Sequence, residues 1–182
     1  MRFVLAVAAM LLGAAPAEAQ SELETASFII LGELADKTSS GAKYSGDRAE
    51  INVGLRPEDT VAVERTSKCN FRVRGQMFFN DFRAPVDYTV DFSNMRDGLR
   101  TQSFEQDKKF GYMSSKWFHY QIPGVKICVT KQYPNLALFF HPSEGSCFDF
   151  LATRGFTLQK EADRLRATIG YMRSNFCKGS AF

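Results

Sequence analysis

Polar and apolar positions alternate most cleanly in one segment, where Val86, Tyr88, Val90 and Phe92 interleave with Asp87, Thr89 and Asp91. A period of two is the signature of a strand with one buried and one wet face. The same period predicts a strand through Ile51, Val53 and Leu55 that ends before Pro57, and a continuation through Val61 and Val63. Cys69, Phe71 and Val73 share a face, with Arg72 and Arg74 on the other. Val125, Ile127 and Val129 mark a further strand, and Leu136, Leu138 and Phe140 another after a Tyr133-Pro134-Asn135 turn. Short strands with one wet face fit an antiparallel sheet. The polar stretch 94–109 shows no such alternation and reads as a long loop or short helix.

Two segments change to helical spacing. Leu23, Ala26, Ile30 and Leu34 predict an amphipathic helix from about 22 to 36. Ser21 and Glu24 form a capping-box pattern at its start, and Asp36 to Gly41 ends it. Near the C-terminus Leu158, Ala162, Leu165, Ile169, Met172 and Phe176 recur every three or four residues, a narrow seam along about five turns. Lys160, Arg164, Arg166 and Arg173 lie off that seam. The fold class is therefore α+β. It consists of an N-terminal helix, an antiparallel sheet of about five to seven strands, and a long C-terminal helix packed on one face.

The first residues follow a different logic. Arg2 precedes an apolar run from Phe3 to about Ala15, then Pro16 and the small-x-small string Ala17-Glu18-Ala19. This predicts a signal peptide over 1–19, cleaved after Ala19, and a single mature domain over 20–182 in the periplasm or outside the cell. The run is shorter than the roughly 20 apolar residues of a spanning helix. No later segment of the sequence is apolar and long enough to span, so no transmembrane segment is expected in the mature chain. Cleavage removes one base and one acid, so the net charge of +3 is unchanged. That excess is not gathered in one run and gives no support to nucleic-acid binding.

Four cysteines remain: Cys69, Cys128, Cys147 and Cys177. An even number of widely spaced cysteines in an exported chain reads as two disulfides. Zinc is disfavoured because there is no CxxC pair and neither histidine lies at ligand spacing from a cysteine. Cys69 shares the core face of its strand and Cys177 ends the helical seam, so these two are expected to pair. Cys128 points away from that core and Cys147 lies in the following loop, which leaves Cys128–Cys147.

Seventeen phenylalanines supply ample core area, with enough left to line a groove. Phe78, Phe79 and Phe82 break the alternation and are candidates for an apolar patch. Trp117, Phe118 and Tyr120 around His119 form a second, together with Phe110 to Met113. The basic–aromatic run Phe71 to Arg83 suits stacking on bases or sugars, but its alternation fits a two-faced strand more simply. His119 and His141, with Glu144 and Asp149 nearby, are the candidates for acid–base chemistry. Ser40-Gly41-Ala42-Lys43 matches S-x-x-K, but in a loop and without the accompanying motifs.

Ser40-Gly41-Ala42-Lys43-Tyr44 also resembles the S-G-x-x-Y motif of periplasmic lysozyme inhibitors, whose loop inserts into the lysozyme cleft. The resemblance covers five residues. It implies that Ser40, Lys43 and Tyr44 contact the acidic site of a glycosidase. The sequence thus supports an exported, non-enzymatic binding module for a small hydrophobic ligand or an envelope protein, with no cofactor, no metal and no catalytic residue assigned. Ser40, Lys43, Tyr44, Phe78, Phe79, Trp117 and His119 are its candidate binding residues. A lysozyme inhibitor, or a small hydrolase using His119 or His141, is the alternative.

Overall fold

The computed structural model describes residues 20–36, 41–54, 56–79, 82–96, 100–104, 117–130, 145–152 and 159–178. The signal peptide expected over 1–19, Leu55, and the strand expected around Leu136 to Phe140 lie outside them. The Ser21 hydroxyl accepts from the Glu24 amide at 3.2 Å, and the Glu24 carboxylate accepts from the Ser21 amide at 3.1 Å. This reciprocal cap starts helix α1, Glu22–Leu31. Gly32, at φ 66°, ends it, and a 3-10 turn, Gly32–Ala35, replaces the last turn of the helix expected to reach residue 36. Almost all of α1 is buried, including Glu22, Thr25 and Ser27. The amphipathic pattern understated its burial because neighbours cover it on more than one side.

Eight strands follow in the described chain: β1 (Lys43–Ser45), β2 (Arg48–Asn52), β3 (Thr60–Ser67), β4 (Asn70–Phe79), β5 (Phe82–Asp91), β6 (Arg100–Phe104), β7 (Trp117–Val129) and β8 (Cys147–Ala152). They form an antiparallel sheet whose main path takes seven strands in the order β1-β2-β3-β4-β5-β7-β6, with β8 added to β7. Two expectations need correction. Part of the stretch read as a loop or short helix is β6, whose pairing with β7 is a backbone matter and needs no apolar alternation. Cys147, placed in a loop by its sequence context, opens β8.

The inner face carries the core. Val61, Val63, Phe71, Val73 and Val90 are at most 1% exposed and join Ile29, Leu165 and Met172 in one cluster. Phe71 meets Phe92 edge to face at 5.7 Å. Each such aliphatic or aromatic side chain contributes roughly 1.5–3 kcal/mol on burial. The outer face is polar. Arg48 on β2 pairs with Glu64 on β3, and Arg72 on β4 grips Asp87 on β5 through two bonds of 2.9 Å. Pairs this exposed are worth about 0–1 kcal/mol each, so the inner face carries the fold.

Helix α2 spans Gln159–Asn175. Its Leu165, Ile169 and Met172 are buried, and Phe176 beyond its end is half-buried. The expectation of a helix laid directly across the sheet is revised. Helix α2 lies against α1, and α1 lies over β2 and β3. Arg164 of α2 ties the pair together, bonding Asp36 at 2.5 Å with its guanidinium 4.4 Å over the Phe28 ring.

Two disulfides form, Cys69–Cys177 and Cys128–Cys147. The first joins the β3–β4 turn to the residues after α2. There the Cys69 amide donates to Glu22 at 2.6 Å, and Arg65 donates to the same carboxylate at 3.0 Å. The start of α1, one turn of the sheet and the end of α2 therefore meet around one buried carboxylate. The second disulfide links directly opposed residues of β7 and β8.

Candidate functional site

Strand β7 is 13 residues long and pairs with three others. Gln121 faces Arg100 of β6 and Ala152 of β8, while Cys128 faces Thr89 of β5 and Cys147 of β8. A strand has only two edges, so β8 runs along one, and β6 and β5 share the other. The changeover falls at Ile122-Pro123-Gly124-Val125. Proline removes a ladder donor, and Gly124 adopts φ 77°, a region that favours glycine. The register with β8 breaks here. Pro123 faces Phe150 and Ile127 faces Phe148, so Gly124, Val125 and Lys126 stand against Asp149 alone. The result is a large bulge, a feature that bends a strand and re-aims its side chains.

The turn after β5 docks onto this bulge. The Arg96 amide donates to the Pro123 carbonyl at 2.9 Å, and Met95 is buried in the core. A Cβ on Gly124 would lie 2.1 Å from the Asn94 carbonyl oxygen, so the approach requires glycine. Between turn and bulge lies an open pocket of about 540 Å³ with Pro123 and Gly124 in its wall. Asn94, Arg96, Gln121, Lys126 and Asp149 give it polar groups.

Its electrostatics are distinctive for this molecule. The outer-face arginines Arg48, Arg72 and Arg74 are paired with carboxylates. Arg96 and Lys126 are exposed, and among the described residues neither takes part in an ion pair. Among the described residues of the lining Asp149 is the one carboxylate. The described lining therefore offers two cations and two amides against one anion. It holds no histidine, cysteine or hydroxyl side chain.

Those residues singled out from sequence that are described lie on different strands. Lys43 is exposed on β1, at the start of the sheet path. Tyr44 is half-buried against the core, and its hydroxyl donates to the Ala35 carbonyl at 2.6 Å. Burial pushes that phenol up to about 12. Its hydroxyl is thus engaged within the fold, whereas the motif resemblance has this residue contacting a partner. Phe78 and Phe79 end β4, opposite Arg83 and Phe82 of β5. Trp117 and His119 lie on β7 opposite Phe104 and Gln102 of β6. Ser40, His141 and Glu144 are outside the described residues. Of the carboxylates considered beside the histidines, Asp149 is the one found in the pocket.

Comparison with models of known protein families, with curated proteins and with solved structures finds no match to this chain. Among the described residues no helix is long and apolar enough to cross a membrane. One further cluster brings Glu22 together with Cys69 and Cys177, their ligand atoms within 4.8 Å. The two sulfurs are bonded to each other, which leaves no thiolate there to hold a metal. Arg96, Lys126, Asn94 and Gln121 were missed from sequence. The available signal was Pro123-Gly124 within an apolar strand pattern, which points to a bulge.

Proposed function

We propose that the chain is exported, processed after Ala19, and acts in the cell envelope or outside the cell as a binding module rather than an enzyme. Two disulfides and the small-x-small string support export. The bulge pocket is the ligand site in this reading. The observation that carries it is the pair of cations, Arg96 and Lys126, held on a docked turn and a bulged strand without ion-pair partners among the described residues. This replaces the small hydrophobic ligand expected from the phenylalanine content, since the pocket is lined mainly by polar groups. A small anion bearing a carboxylate or phosphate fits better, with hydroxyls to meet Asn94, Gln121 and Asp149. Its volume falls within the roughly 300–1,000 Å³ typical of small-molecule sites.

Exposed cations bind anions modestly. Two charge-assisted hydrogen bonds at ~1.5–3 kcal/mol each sum to about 3–6 kcal/mol before the entropic cost of association, which predicts affinity in the roughly millimolar range or weaker. The test is an amide-shift titration with inorganic phosphate and, separately, glucuronate. The expected result is saturable shifts confined to residues 94–96, 121–126 and 149, abolished in the Arg96→Ala/Lys126→Ala double variant. Absence of saturation with both probes, or unchanged binding by the variant, overturns the assignment.

A further inference from the structure

We infer that the mature N-terminus is closed as a pyroglutamyl lactam at Gln20; this rests on the processing after Ala19 proposed above. Cleavage there leaves Gln20 as the first residue, bearing the new α-amine. A glutamine in that position carries its own electrophile, the side-chain amide carbon, at the distance that closes a five-membered ring. The reaction is intramolecular and needs no co-reactant. The α-amine lone pair attacks Cδ and a C–N bond forms. The Cδ–Nε2 bond then breaks, and a proton passes from the attacking to the departing nitrogen, which leaves as ammonia. With an α-amino pKa of roughly 7.7–8.0, a useful fraction of the amine is unprotonated at neutral pH.

The structure leaves this residue free to react. Gln20 is exposed, and among the described residues its side-chain amide and its backbone nitrogen make no hydrogen bond. Its carbonyl, which the cyclisation does not touch, accepts from the Tyr171 hydroxyl at 3.4 Å. The anchored chain begins one residue later. The Ser21 amide donates to Glu24, and its carbonyl accepts from the Thr25 amide at 3.0 Å and the Thr25 hydroxyl at 2.8 Å. Ring closure therefore costs the cap nothing. It also removes an ammonium charge from the positive end of α1 and leaves no free amine from which an aminopeptidase can start.

The test uses the processed protein recovered from its producing cells and held at neutral pH. The N-terminal peptide is read by tandem mass spectrometry, then again after pyroglutamyl aminopeptidase. The expected result is a peptide beginning at residue 20 that is lighter by one ammonia, resists Edman degradation, and becomes sequenceable from Ser21 after the enzyme. A peptide beginning with intact, amine-bearing Gln20 after prolonged incubation overturns the lactam while upholding the processing site. A peptide beginning at any other residue overturns the processing site, and the lactam with it.

Discussion

Around Cys69–Cys177, Glu22 is only 8% exposed and accepts from the Cys69 amide and from Arg65. Around Cys128–Cys147 the strands open at a bulge, and Arg96, Lys126 and Asp149 line the gap without ion pairs among the described residues. Each region is closed by a disulfide, but they use polar groups in opposite ways. The first buries a charge and satisfies it internally, which serves the fold. The second keeps charges in water, without ion pairs among the described residues, as the proposed ligand site requires.

Removing each disulfide gives the sharpest separation. On the chain-entropy relation, Cys69→Ala/Cys177→Ala, which opens a link across 108 residues, lowers unfolding free energy by about 4–5 kcal/mol. Cys128→Ala/Cys147→Ala opens a link across 19 residues and costs about 3 kcal/mol on the same relation. Urea denaturation gives both figures. Binding of phosphate should weaken in the second variant while the first, where folded, retains it. The contrast collapses if the order of either pair of effects is reversed.

Glu22→Ala should come next, at about 2 kcal/mol, because it leaves the buried Cys69 amide without its acceptor. A loss below ~0.5 kcal/mol would mean that water replaces the carboxylate and that the region is less closed than its burial implies. A smaller effect concerns Tyr44. Its pKa rises in the folded state from 10.0 to about 12, so the unfolded chain ionises first. Stability is thus fully present below pH 10 and declines as pH rises towards 12. Burial raises the Tyr88 phenol as well, so the decline should be shallower in Tyr44→Phe and shallower again when Tyr88→Phe is added. Melting temperatures measured from pH 8 to 12 check this, and identical slopes would refute it. Smallest of all, Arg96→Ala/Lys126→Ala should change stability by no more than about 0.5 kcal/mol. A larger loss would show that these cations serve the fold after all.

Much of the fold was legible because it follows from periodicity. The alternation at Val86, Tyr88 and Val90 belongs to β5, Ser21 and Glu24 do form the cap of α1, and the facing of Cys69 and Cys128 leads to the pairing observed. What stayed hidden lacks a local pattern. Strand β6 is read from its partner's backbone, and Cys147 begins a strand because Cys128 and the end of β7 lie opposite. The pocket was least legible. Arg96 and Lys126 are ordinary charges in the sequence, separated by 30 positions and brought together only where a turn docks on a bulge. Tyr44 shows a feature its motif does not announce: the ring is half-buried against the core and its hydroxyl bonds the Ala35 carbonyl.

The order of the cysteines has a consequence for biogenesis. The Cys128–Cys147 pair lies wholly inside the span closed by Cys69–Cys177, so the links are nested. On the export route proposed above, a chain threading through a membrane from its N-terminus delivers Cys69 first and Cys177 last. An oxidase that joins cysteines as they arrive makes Cys69–Cys128, a pairing the finished molecule does not contain. Correct maturation therefore depends either on Cys69 waiting as a thiol through the whole passage or on a later shuffling step by an isomerase.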